Sequence, residues 1–594
     1  MPPRVPTPEK SRGDRLALVF EEVQLVVDDP MVLESSDDAP ALVEALPVQS
    51  FVAVARKLRD EQRLDLLLPY ASAEQITGIF DLDAWERDRL ATPRAREWLE
   101  RIVDAYQESD AERGRLVRLL YDTEPEMWIL ANSAATAIAE LEPDDDELRE
   151  QILQDMSALV TWETPDGSYI IGVPDNELGR MTLRVLHAIY EDNLVEGRKL
   201  VSAIKWSVHS EVEEDLLRWR RGRLADLGFP EWEEAMRLFA PLARDVVTGR
   251  SSDGDEPTAH VPERSSSLPP AELGKNQDIL RRVMQRLDDA EYDLRLREFL
   301  LLANELMAAQ RFEPGNEALQ ERSVAQAQAT LNLACELLLA GESHDDPEAY
   351  IASRITSVGL RKLFRFGYSP LAKLRKAAIA LHRGGQVSLA QIGSLLDRPW
   401  GPALATLARW YPELPVEGKR RSRPLRNLAD VARATALVGE AGALAQLTFA
   451  AESFAVDPVW ISRVDEPDRL HLGDLVRTAI ICHLYAGDQP GVAIDEGGLR
   501  PVGPDELDWA ANNLLDERGR LIPRVRALLR VKAEAAGIGD RSEALADILL
   551  PRLSIELSGL EDRGDGKPDM TKVSGLLTIQ QVGMWLGVSA GASE

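Results

Sequence analysis

Cysteine, histidine and uninterrupted apolar stretches are all scarce in this chain, and each shortage removes a class of protein. Among 594 residues there are two cysteines, Cys335 and Cys482. A disulfide scaffold is excluded, and so low a count fits a reducing compartment. Both cysteines sit in helical apolar patterns and are expected to be buried thiols. Only seven histidines occur, with no H-E-x-x-H and no paired C-x-x-C. His471, Cys482 and His483 are close in sequence, but a helix turns ~100° per residue, so Cys482 and His483 project apart while His471 lies about three turns away. No glycine-rich phosphate loop of the Walker A or G-x-G-x-x-G kind is present. No motif calls for a cofactor or a metal, and the reading leans away from an enzyme. Carboxylate pairs assembled across space would leave no such trace, so an enzyme with an unmarked acidic site stands as one alternative.

The closest approach to a membrane span is Thr435–Ala451, which is rich in Ala and Gly and carries Glu440 and Gln446. A span would need about 20 strongly apolar residues, so this segment is expected to be a buried helix, with no membrane contact. Met1–Asp14 is Pro- and charge-rich and lacks the apolar core of a signal peptide, which points to a cytoplasmic protein.

Positive charge is in short supply as well. Lys and Arg number 69 against 100 Asp and Glu, a net charge of −31. Such a surface favours solubility and repels polyanions unless a local basic patch intervenes. One stretch runs against that balance. Between Arg354 and Arg426 fifteen Lys/Arg face three acids, a local +12 that leaves −43 on the rest. Phe364, Phe366, Tyr368, Trp400, Trp410 and Tyr411 interleave with the cations, the pairing that phosphate contact and base stacking use. Arg361, Lys362, Arg365, Lys373, Arg375, Lys376, Lys419, Arg420, Arg421 and Arg423 are therefore the candidate contacts to a polyanion or an acidic partner. The competing expectation is that these cations dock on the chain's own acidic surface.

What the chain has in quantity is helix pattern. Apolar residues make up 44%, enough to stabilise packed cores. Over Ala91–Glu108 the spacing sets Trp98, Leu99, Ile102, Val103 and Tyr106 on one face, with Pro93 in the first turn. Ile279, Leu280, Val283, Leu287, Ala290 and Leu294 recur at three or four, as do Val324, Leu331, Ala334, Cys335 and Leu338 before Gly341. One stretch departs from this. Ala158–Glu163 and Ser168–Gly172 flank Thr164-Pro165-Asp166-Gly167, which predicts a β-hairpin needing outside support. In the run Asp81-Leu82-Asp83-Ala84-Trp85, either aspartate reads as a helix N-cap, with Trp85 buried behind it. The sequence thus predicts a mainly α, multi-block helical protein of paired helices, with a small hairpin near 158–172.

Residues 248–274 are rich in Ser, Pro, Gly, Asp and Glu and nearly free of large apolar groups. That composition reads as a disordered linker between an N-terminal helical domain, 1–247, and a helical block, 275–417, that holds most of the basic segment. Pro412–Pro424 reads as an irregular link to a C-terminal helical block, 418–594.

Two stretches carry a resemblance. Leu67-Leu68-Pro69-Tyr70-Ala71-Ser72-Ala73-Glu74-Gln75 runs on to Asp81–Asp88, and Arg223–Pro230 is followed by Glu234-Ala235 and Leu238–Leu242. Together they resemble an uncharacterised bacterial family of deltaproteobacterial type, a domain of unknown function that brings no catalytic residues with it. Leu46-Pro47-Val48-Gln49 and Leu68–Gln75 are also similar to the helical N-domain of MgtE-type magnesium transporters, which would imply a helical superhelix in the N-terminal part. The function these observations favour is a non-enzymatic interaction or scaffold protein with a protein partner. Nucleic-acid binding through 354–426 is the alternative.

Overall fold

The computed structural model describes residues 25–582, apart from 87, 107–113, 117, 120–121, 124–135, 143–145, 207–208, 251–277, 342, 384–395, 417–420, 463, 465–468, 490–491, 493–498, 561–567 and 570–571. Its described residues are mainly α-helical, with three small antiparallel sheets. No helix among them is long and apolar enough to cross a membrane. The chain forms two compact units, Met1–Leu331 with Gly341–Arg365, and Asn332–Ala340 with Phe366–Glu594. Of the segment 248–274, only Thr248–Arg250 lie within the described residues.

In the first unit, local chemistry sets where helices start. Ser72 caps the helix Ala73–Asp83: its hydroxyl accepts from the Gln75 backbone N–H, and the Gln75 side chain accepts from the Ser72 N–H. This reciprocal box satisfies two otherwise orphaned donors. Asp81 and Asp83 therefore close a helix already under way and do not begin one. Trp85 follows in the two-residue strand Trp85–Glu86 and is buried, as its size requires. The next helix spans Thr92–Ala105, with Pro93 in its first turn and Trp98, Leu99, Ile102 and Val103 buried; Tyr106, just beyond its end, is buried too. The apolar series from Ile279 is interrupted, contrary to the single periodic run. It forms Ile279–Met284 and then Asp289–Ala309, because the Asp288 carboxylate accepts from the Glu291 N–H and restarts the helix.

The hairpin pairs Val160–Glu163 with Tyr169–Val173, with Val160 opposite Val173. Gly167 donates its N–H to the Thr164 carbonyl at 2.8 Å and sits at φ +65°, a left-handed turn position that suits glycine. A third strand, Ala137–Glu140, pairs along the other edge of Tyr169–Val173, which becomes central with all five residues buried. The helix Glu177–Asp192 covers the sheet, and Tyr190 meets Trp162 edge-on at 5.6 Å.

In the second unit the helix Leu472–Asp488 is the hub. Twelve of its residues are buried, and it packs against Leu428–Phe449 and Ser542–Ser558. A helix that is buried nearly all round needs partners for every polar group it carries. Leu428–Phe449 contains most of the Ala- and Gly-rich stretch, and its Glu440 carboxylate accepts the Trp400 indole N–H at 2.9 Å. The stretch Pro412–Pro424 is not wholly irregular: Glu413–Pro415 pairs antiparallel with Ser422–Pro424. Both cysteines are buried and neither is in a disulfide, and burial pushes the Cys335 thiol up to about 12.

Candidate functional site

Of the ten cations singled out from sequence, eight lie within the described residues, Arg361, Lys362 and Arg365 in the first unit and Lys373, Arg375, Lys376, Arg421 and Arg423 in the second. Arg361 forks onto the Glu305 carboxylate, with its closest contact at 2.7 Å. The Arg365 Nε donates to the Ala240 carbonyl at 3.1 Å. Arg375 stacks on the Trp410 ring, 3.8 Å from its centroid. Arg423 makes two 2.7 Å bonds to Asp430, which lift its own pKa and hold the Asp430 carboxyl below the usual range. Lys373, Lys376 and Arg421 are exposed, and Lys362 is half-buried. Lys419 and Arg420 lie outside the described residues.

A second constellation assembles in the second unit from residues far apart in sequence. The N–H of Gly473, in the first turn of the hub helix, donates to Asp397 Oδ2 at 2.8 Å. A Cβ on residue 473 would lie 2.4 Å from that oxygen, so the close approach needs glycine. One turn on, the Arg477 guanidinium donates to both Asp397 and Asp474, and its Nε donates to the Gly575 carbonyl at 2.9 Å. His471 Nδ1 stands 3.4 Å from Asp474 Oδ2, the oxygen that also accepts the His471 backbone N–H. Burial pushes the Asp474 carboxyl upward, but the His471 contact and the Arg477 charge outweigh it and hold the group below its ordinary value. The Asp474 contact raises the His471 pKa against the opposing effect of burial.

One ligand atom each from Asp397, His471 and Asp474 lies within 4.8 Å of the others, which is spacing a metal ion could use. The Arg477 guanidinium already binds both carboxylates, however, and an added cation would compete with it for the same lone pairs. Arg477 offsets one of the two carboxylate charges, and His471, when protonated, offsets the other. Cys482 and His483 play no part in it. The Cys482 thiol donates to the Arg500 carbonyl, and His483 packs edge-on against Phe454, where burial lowers its pKa to about 4.

The first unit contains a cavity of about 480 Å³. Trp85, Phe229, Trp232 and Phe312 supply aromatic wall, and Arg220, Arg221 and Arg311 bring guanidinium groups to it. Arg220 lies over Trp85 at 5.1 Å and Arg311 over Trp232 at 4.2 Å. Arg221 is paired with Asp88 and Glu231, which also line the space. Burial lowers the Arg220 pKa to about 10, which leaves it charged at neutral pH.

A family of unknown function, DUF6178, matches residues 30–566. The chain belongs to that family. No curated protein and no solved structure matches it significantly. Membership in DUF6178 assigns no residue a role, so the chemistry rests on geometry alone. Sequence reasoning missed both groupings in this DUF6178 chain. Asp397 precedes Gly473 by 76 residues, and no local pattern links them. A usable signal did exist for the cavity: a Trp–Arg–Phe composition at Phe229–Trp232 and Arg311–Phe312, the residue types that dominate binding pockets.

Proposed function

We propose that this chain is a cytoplasmic, non-enzymatic interaction protein that binds a protein partner. The observation that carries this reading is the use made of the basic segment. Arg361, Arg365, Arg375 and Arg423 are engaged by Glu305, the Ala240 carbonyl, the Trp410 ring and Asp430. A polyanion would have to displace these intramolecular contacts while approaching a chain of net charge −31. Helical surfaces then serve as the binding faces, in blocks 1–247, 275–417 and 418–594, with 248–274 as the connection between the first two. The deltaproteobacterial-type resemblance and the MgtE-type likeness of the N-terminal part fit the same picture of a helical scaffold.

The test is a pair of measurements on full-length protein. In a gel-shift titration at low salt, duplex DNA and single-stranded RNA should bind poorly. In cross-linking from native cells followed by mass spectrometry, one protein should be recovered reproducibly, and the purified pair should then associate stoichiometrically. Tight binding of nucleic acid would overturn the reading, above all if the log–log salt slope were about −0.9 per phosphate contact.

A further inference from the structure

The helix Asp289–Ala309 ends in a way that its sequence does not favour. Gln310 is the C-cap. The Arg311 N–H donates to the Ala308 carbonyl at 3.0 Å, and the Phe312 N–H donates to the Met307 carbonyl at 3.0 Å. This is the two-bond Schellman closure, in which the residue after the cap adopts the left-handed conformation that glycine occupies at least cost. Here that residue is Arg311, at φ +56°. A non-glycine residue held there is conformationally costly, and such positions gather where a side chain is needed.

What the Arg311 side chain does locally is stack on Trp232. Trp232 is itself fixed by its indole N–H, which donates to the Ala309 carbonyl at 3.2 Å, and the residue remains 37% exposed. Among the described residues Arg311 has no carboxylate within ion-pair distance, although Arg221 beside it has two. Trp85, 4% exposed, also lines the cavity, and its indole N–H is buried without a hydrogen-bond partner among the described residues. The cavity lining therefore combines a guanidinium without an ion pair among the described residues with the apolar surfaces of Phe229, Phe312 and Leu82.

We propose that this cavity binds a small organic anion with an aromatic or apolar body, its anionic group held by Arg311 and its body lying among the Trp232, Phe229 and Phe312 rings. The volume suits a molecule of that kind. A planar guanidinium already supported on an indole pairs well with a carboxylate or sulfonate. Glu313, also on the wall and without an ion pair among the described residues, opposes a second negative charge and favours a monoanion. The site is independent of whether a protein partner exists.

The experiment compares two fluorescent probes of similar shape on the full chain: 1-anilinonaphthalene-8-sulfonate, which is anionic, and N-phenyl-1-naphthylamine, which is neutral. The wild type should bind the sulfonate saturably at one site and more tightly than the neutral probe. Arg311→Gly should weaken the sulfonate about tenfold, the loss of one charge-assisted contact, and change the neutral probe little. Glu313→Gln should tighten the sulfonate. Because glycine is the favoured residue at this helix end, R311G should melt at the same temperature or higher. That readout separates binding from folding, since a purely structural arginine would lower the melting temperature. Trp232→Ala should weaken both probes. Unchanged sulfonate binding in R311G, or equal loss of both probes in that variant, would overturn the proposal.

Discussion

Two arginine–carboxylate clusters, one in each unit, use the same chemistry in opposite geometries. In the first unit the carboxylates are the inner partners. Asp81 is nearly buried and accepts two bonds from Arg223, at 2.7 and 2.9 Å, while Arg223 keeps a third of its side chain in water. Asp83 accepts from Arg56 at 2.6 Å and from the Trp98 indole at 2.7 Å. In the second unit the arginine is the inner partner. Arg477 is 1% exposed, with Asp397, Asp474 and the Gly575 carbonyl around it. A guanidinium cannot shed its proton at any relevant pH, so one buried at a hub must be given permanent counter-charges. A carboxylate reached by half-buried arginines has alternatives in water and in neighbouring side chains. Burial of the cation, more than the number of ion pairs, makes the second cluster the less replaceable.

The largest expected effect follows directly. Arg477→Met leaves two buried carboxylates facing each other and should cost about 3–5 kcal/mol, read by urea unfolding. Trp85→Ala, which empties the core beside the first cluster, should cost about 3 kcal/mol by the same measurement. Arg223→Met should cost less, about 1–3 kcal/mol, since water can reach part of the vacated position. If Arg223→Met and Arg477→Met proved equally damaging, the contrast between the clusters would fail.

The smallest effects are pH-dependent and come from two histidines of the hub helix, His471 at its N-cap and His483 within it. His471 has a raised pKa in the folded state, so its contribution is fully present below about pH 6.5. That contribution is lost as pH rises through the folded value. His483 behaves in the opposite sense: burial, aided by the nearby Lys532 charge, lowers it to about 4. Above about pH 6.5 it is neutral in both states; as pH falls from there to about 4, the unfolded chain takes up a proton that the folded chain refuses, and stability declines. Melting temperatures across pH 4–9 should show His483→Phe flattening the acid side and His471→Asn flattening the side above neutrality. A profile identical to wild type in His483→Phe would mean that the ring is hydrated in the folded state.

Legibility from sequence followed the range of the interactions. The face holding Trp98, Leu99, Ile102, Val103 and Tyr106 could be read because helical spacing alone brings those residues together. The hairpin could be read because Pro165-Asp166-Gly167 fixes its own turn, whereas its third strand, Ala137–Glu140, has the short Ala-rich composition of a helix and was invisible. The aspartates at 81 and 83 were misread as caps because their local pattern fits a helix start. Ser72 and Gln75 had already taken that role, and the partners of Asp81 and Asp83 lie up to 142 residues away. The basic segment was legible as composition only.

The sequence by itself determined the helical class, the hairpin turn, the scarcity of reactive cysteine and the acidic charge, because each depends on composition or on residues within a few positions of one another. Tertiary structure decided which carboxylate meets which cation. It placed Asp397 against Gly473 and Arg477, Glu305 against Arg361, and Arg311 on Trp232. Those pairings are chosen by how packed helices bring distant side chains to one place, and burial, which gives them most of their energetic weight, exists only once the chain has folded.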